Sequence, residues 1–143
     1  LTLLNPAPAT PLPDALWPLV DVLTPNEGEL LMLADAPDIE TAALRLLQRG
    51  VGALVVTLGE RGCALFRPDA VPLWVPGHAM QVVDTIGAGD TFTGTLAAQL
   101  AQQSPWPQAL RWANAAAALS TQAQGAVTAM PARSQVQAWL HSG

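Results

Sequence analysis

A layered α/β fold with a largely parallel sheet is predicted by the alternation of short apolar runs with helical patterns along these 143 residues. Two details support it. Ala53-Leu54-Val55-Val56 is continuously apolar before Thr57, as in a strand covered on both faces. The apolar runs also stop on loop-forming residues, at Asn5-Pro6, Pro25-Asn26 and Leu58-Gly59.

Taken in order, Leu1–Leu4 reads as a strand stopped by Asn5-Pro6-Ala7-Pro8, and Pro11–Leu16 as a short helix. Val20–Thr24 is the next strand. Asn26 opens a helical pattern, with Glu29 three residues on and Leu30, Leu31 and Leu33 behind it. Thr41–Arg49 is a second helix, with Ala42 and Leu46 on one face and Gly50 as its stop. Ala53–Thr57 is the buried strand, and Leu58–Gly62 the turn after it. Cys63–Phe66 and Val71–Val75 follow as strands, antiparallel or at an edge because Pro68, Pro72 and Pro76 cannot serve a central ladder. Phe92–Gln102, Trp106–Gln122 and Val136–His141 are helices, with Ala115–Ala118 allowing close packing of the second. No internal repeat is present, so one domain over residues 1–143 is expected.

Composition narrows the classes. Half of the residues are hydrophobic and 12% are charged, against about a quarter in ordinary globular chains, so part of the surface is expected to be covered. A net charge of −5 without a Lys/Arg cluster argues against a nucleic-acid partner. Cys63 is the single cysteine, and His78 and His141 lack ligand-like spacing, so neither a disulfide nor a zinc site is indicated. With no leader-like start and no apolar run of membrane-spanning length, a cytoplasmic protein with no membrane partner is the expectation.

Chemistry concentrates in Asp84-Thr85-Ile86-Gly87-Ala88-Gly89-Asp90-Thr91-Phe92-Thr93-Gly94. Two carboxylates bracket a glycine-rich turn that leads into a helix. Such a turn, with the positive end of the helix dipole and its unpaired N–H groups, suits an anion, most naturally a phosphate. Asp90 at its mouth is placed to take a proton from a hydroxyl attacking that phosphate. The bland reading is a loop with Asp90 as an ordinary N-cap. The turn is not a dinucleotide fingerprint, since Phe92 stands where a third glycine belongs, and no Gly-Lys-Ser/Thr makes it a P-loop. Asn26 and Glu29 read equally as a capping box, Thr57–Gly62 as a tight turn, and Asn114 as a polar residue satisfied within its helix. The five tryptophans read as packing residues. In parallel sheets, ligands sit beyond the carboxyl ends of the strands, where Asn5, Asn26 and Thr57–Gly62 all fall.

At Asp84–Asp90 the chain resembles the ribokinase-like (PfkB) carbohydrate kinases, whose signature runs D-T-x-G-A-G-D. Leu4–Ala9, Leu23–Glu29, Thr57–Gly62 and Ala113–Ala118 resemble the same family in order and spacing. The resemblance implies a three-layer α/β fold with helices flanking the sheet. It implies ATP-dependent phosphorylation of D-ribose at O5, giving ribose 5-phosphate. Asp90 matches the general base, which also holds the sugar hydroxyl, and Gly87, Ala88, Gly89 and the Asp90 backbone match the anion hole. Asn26, Glu29, Thr57, Leu58, Gly59, Glu60, Arg61, Gly62, Gly89 and Asn114 match nucleotide-site positions, Glu29 also serving Mg²⁺ through water. Asp84, Ile86, Ser120, Ala123, Gly125 and Ala129 match a site for a monovalent cation, K⁺, that activates the enzyme. Ala129 departs from the family where a serine hydroxyl is expected.

Members of that family are about twice this length. The half bearing an early Asp, a Gly-Gly signature and a β-sheet lid that covers the sugar and makes a homodimer has no counterpart in these residues. The chain is therefore expected to be the carboxyl-terminal part of such a kinase, with Leu1–Leu4 as an apolar edge strand. The alternatives are another sugar or nucleoside kinase of the family, such as a fructokinase or an adenosine kinase, and a catalytically silent nucleotide-binding fragment.

Overall fold

In the computed structural model, which describes residues 1–143, the apolar runs form a mixed five-stranded sheet in the order β1-β2-β3-β4-β5. The strands are β1 (Leu3–Leu4), β2 (Val22–Leu23), β3 (Ala53–Thr57), β4 (Gly62–Phe66) and β5 (Leu73–Pro76). Strands β1, β2 and β3 are parallel, with Leu4 opposite Leu23 and Leu23 opposite Leu54. Strand β4 returns antiparallel to β3, with Leu54 opposite Phe66 and Thr57 opposite Cys63. The turn at 58–61 is too short for a parallel crossover, so the reversal follows from chain length. β1 is an edge strand, as the apolar start of the chain suggests, and Leu1 beside it is exposed.

The chain divides into two compact units, Leu1–Leu58 with Cys63–Trp74, and Gly59–Gly62 with Val75–Gly143. In the first, a 3-10 helix spans Asp14–Leu19, later than the expected Pro11–Leu16, because Pro13 serves as its N-cap. Helix α1 (Glu27–Ala34) starts at the Asn26 N-cap, and α2 (Ile39–Gln48) starts at Asp38, whose carboxylate accepts from the Thr41 N–H at 2.7 Å. That cap begins α2 two residues before the expected Thr41. The Arg45 guanidinium ties α2 to the end of α1 by donating to the carbonyl oxygens of Ala34 and Asp35. Trp17, Leu23, Leu30, Leu46, Leu54 and Phe66 form the core of this unit. Truncating any one of these leucines to alanine costs about 2–5 kcal/mol.

The second unit is helical. Helices α3 (Ala88–Ala101) and α4 (Trp106–Ser120) pack on each other, burying Phe92, Leu96, Leu110 and Ala113. Helix α5 (Arg133–Ser142) covers Ala115 and Ala116 with Val136. Helix α3 begins four residues before the expected Phe92, because Gly87 takes a left-handed conformation and starts the helix at once. Helix α4 ends at Ser120, short of the expected Gln122, where the Ser120 and Thr121 hydroxyls donate to the carbonyl oxygens of Ala117 and Ala118. Among the tryptophans, Trp17 is core, Trp74 packs edge-on against Phe66 at 5.8 Å, and Trp112 lies under the Arg133 guanidinium at 5.6 Å. No helix is long and apolar enough to cross a membrane.

Candidate functional site

Because β1, β2 and β3 are parallel, their carboxyl ends share one edge of the sheet, and Asn5, Asn26 and Thr57 stand there. Asn26 and Thr57 are bridge partners, and the Thr57 N–H donates to the Pro25 carbonyl oxygen at 2.9 Å. Asn26 Oδ1 accepts from the Glu29 N–H, and Glu29 Oε2 accepts from the Asn26 N–H, both at 2.8 Å. The capping box is therefore made in full. It holds the half-buried Glu29 carboxylate at the head of α1, beside the sheet edge where Thr57 lies. One carboxylate there meets the demand of Mg²⁺, which takes few protein ligands and keeps its waters. No cluster of acidic and His or Cys side chains forms a denser metal site anywhere in the chain.

In the second unit, the Gly59–Gly62 loop lies against the segment Val75–Gly77. A Cβ on Gly62 would stand 2.0 Å from the Val75 carbonyl oxygen, and one on Gly77 would stand 2.2 Å from that of Glu60. Asn114 of α4, 7% exposed, donates its amide to the carbonyl oxygens of Val75 and Pro76 at 3.3 Å each. Fold thus brings the loop and Asn114, fifty or more positions apart in sequence, to the same short segment. His78 follows that segment, with its ring edge-on to Trp139 of α5 at 5.9 Å. Sequence reasoning passed over Gly77, although the Pro76-Gly77 pair marks a tight backbone there.

The Asp84–Asp90 motif is built differently from the open turn that its glycines suggest. Gly87 alone is left-handed, at φ 79°, and it is the N-cap; Ala88, Gly89 and Asp90 form the first turn of α3. Asp90 is therefore the third helical residue and not an N-cap. Its carboxylate is exposed and borders a cavity of about 310 Å³ shared with Thr91, Gly94, Trp112, Met130 and Arg133. The Ala88 N–H donates to the Thr85 carbonyl oxygen at 3.2 Å, and the Thr91 N–H to that of Gly87 at 2.9 Å. Gly89 lies between them in helical backbone, with nothing within 4 Å of where a Cβ would sit. Neither backbone conformation nor packing within the chain requires glycine at that position, which lies in the first turn of α3, at the positive end of the helix dipole.

Of the residues matching the cation site, Asp84, Ile86 and Gly125 are brought together. Asp84 accepts from the Ile86 N–H at 2.9 Å and from the Gly125 N–H at 3.1 Å. These two bonds, the Ile86 one foremost, hold the Asp84 carboxyl below the usual carboxylate range. Ser120 is buried, its hydroxyl donating to the Ala117 carbonyl oxygen. Ala123 and Ala129 lie further along the same loop, Ala123 exposed and Ala129 buried. A carboxylate with two loop segments gathered at it suits a monovalent cation, for which backbone carbonyl oxygens would supply the rest.

Comparison with known proteins gives a consistent result. A sequence model described as pfkB family carbohydrate kinase matches residues 1–133. The ribokinase of Haemophilus influenzae is 35% identical over 142 residues, covering 96% of this chain and 46% of that protein. The structure of Arabidopsis thaliana ribokinase complexed with ribose and ATP superposes with a TM-score of 0.93 at 37% identity, over 96% of this chain and 46% of the other. A double mutant of Vibrio cholerae O395 fructokinase, in a fructose, ADP and potassium ion bound form, gives a TM-score of 0.81 at 33% identity, over 88% and 42% of the respective chains. The chain thus spans less than half the length of these relatives.

Proposed function

The chain belongs to the pfkB family of carbohydrate kinases, and we propose that it carries the phosphate-handling and catalytic-base side of an enzyme that transfers the γ-phosphoryl group of ATP to O5 of D-ribose. The observation that carries this reading is the start of α3: a glycine N-cap, an unobstructed Gly89 that the fold does not require, and the exposed Asp90 within four consecutive residues. In the transfer, the Asp90 carboxylate accepts the proton of the attacking hydroxyl as the new O–P bond forms. The bond from phosphorus to the bridging oxygen breaks, and ADP leaves with that electron pair. The N–H donors at the head of α3, with the helix dipole behind them, face the charge that accumulates on the phosphoryl oxygens.

In the first unit, Asn26 and Glu29 are proposed to order Mg²⁺ and the phosphates, Glu29 through water; bound Mg²⁺ would neutralise phosphate charge. In the second, Gly59–Gly62 and Asn114 are proposed to cradle the nucleotide, and Asp84, Ile86, Ser120, Ala123, Gly125 and Ala129 to surround K⁺. The Arabidopsis ribokinase with ribose and ATP and the Vibrio fructokinase with ADP and potassium support these assignments by likeness. The fructokinase match also supports a second reading, in which the acceptor is fructose.

The test is Asp90→Asn in a protein that contains both this chain and the sugar-binding half. Turnover is expected to fall by about a hundredfold or more with little change in ATP affinity; a loss below about tenfold would remove Asp90 as the base. The ratio of kcat/KM for ribose to that for fructose separates the two acceptors.

A further inference from the structure

One side chain pins the loop before α3 to a distant segment. Asp84 Oδ1 accepts from the Ile86 N–H at 2.9 Å, and Oδ2 accepts from the Gly125 N–H at 3.1 Å. Beside them, the N–H groups of Val83 and Asp84 donate to the Thr121 carbonyl oxygen at 2.7 and 3.1 Å. The effect reaches Gly87 through Ala126, the neighbour of Gly125. A Cβ on Gly87 would lie 2.9 Å from both the Cα and the Cβ of Ala126. Ala126 is thus a backstop against which Gly87 takes its left-handed conformation and delivers its carbonyl oxygen to the Thr91 N–H and hydroxyl, both at 2.9 Å.

We propose that Asp84 is a positioning residue: its carboxylate, independently of any cation, holds Gly125 and Ile86 in place and so sets the first turn of α3, which carries Gly89 and Asp90. This rests on the reading of that turn as the anion hole. Charge and geometry both matter. A carboxylate can accept from two N–H groups at once, whereas an asparagine amide offers one oxygen and turns a donor toward the second N–H.

The experiment is residue-resolved amide hydrogen exchange on the whole 143-residue chain, comparing wild type with Asp84→Asn and Asp84→Ala in potassium chloride and in choline chloride. Affinities for ATP and adenosine are measured alongside. The Thr91 amide is expected to exchange roughly tenfold faster in both variants and in both salts, while the Leu110 amide in α4 is unchanged. Unchanged exchange at Thr91, or acceleration confined to potassium chloride, would overturn the proposal; the latter would make Asp84 a cation ligand alone. Wild type binding ATP no more tightly than adenosine would instead overturn the anion-hole reading, and the exchange data would still decide the role of Asp84.

Discussion

Gly62 and Gly77 pass backbone to backbone: a Cβ on Gly62 would lie 2.5 Å from the Gly77 nitrogen, and one on Gly77 would lie 2.7 Å from the Gly62 nitrogen. No side chain can yield to relieve such an overlap, because the opposing atoms are main chain. Gly62 also stands at φ 101°, where other residues are strained. Gly62→Ala and Gly77→Ala are each expected to cost about 3 kcal/mol or more, read from urea unfolding. A loss under about 1 kcal/mol would show that the 59–62 loop is free to move off the 75–77 segment.

Gly89 and Gly94 behave in the opposite way. Both are in helical backbone of α3, with nothing near the position of a Cβ. Gly94→Ala is expected to stabilise the chain by about 0.5–1 kcal/mol, since glycine is a poor helix former and nothing here requires it. Gly89→Ala is expected to leave stability unchanged or raised and, if the first turn of α3 is the proposed anion hole, to weaken ATP binding by about tenfold or more, because the methyl group would then occupy space that a phosphate needs. Titration calorimetry with ATP and with adenosine checks this; equal effects on both ligands would exclude a phosphate contact at Gly89.

The Asn26–Glu29 capping box separates a local from a functional role. Asn26→Ala is expected to cost about 1 kcal/mol by removing the N-cap. Asn26→Ser retains a cap and should recover most of that stability. If Asn26 also orders phosphate and Mg²⁺, neither substitution restores affinity for ATP in the presence of Mg²⁺. Recovery of both stability and affinity by serine would leave Asn26 as a cap alone.

The Asp38 cap of α2 gives a pH dependence whose sign follows from its hydrogen bonds. The Thr41 N–H, and after it the Thr41 hydroxyl, hold the Asp38 carboxyl below its ordinary 3.8. Its folded form is thus the more acidic, so its contribution to stability is present above pH 3.8 and is lost as the pH falls through the lower, folded value. The melting temperature of wild type is expected to exceed that of Asp38→Ala at neutral pH, and the gap is expected to close below pH 3.8. A gap that does not narrow as the pH is lowered from 3.8 would contradict this account.

Much of the architecture was legible in the sequence because its causes are local. The apolar run of β3, the Asn26–Glu29 box and the glycine-led start of α3 each depend on residues a few positions apart. Element limits were less legible where one conformation or cap decides them. Gly87 takes a left-handed φ, which starts α3 four residues before Phe92. Thr121 accepts from Val83 and Asp84, and α4 stops just before it. Of the candidate site, the residue types were legible, but the company they keep was not.

What the amino-acid sequence determined by itself is the succession of strands and helices, the caps that begin them, and the concentration of glycines and carboxylates ahead of α3. These follow from periodicity, hydrogen-bonding capacity and backbone freedom acting over one or two turns of chain. Only tertiary structure decided that Asp84 reaches Gly125, that Ala126 backs onto Gly87, and that Asn114 donates to the carbonyl oxygens of Val75 and Pro76. Each of these pairs remote segments. Such pairing is set by how helices and strands pack to bury their apolar faces, a global condition that no local window of sequence contains.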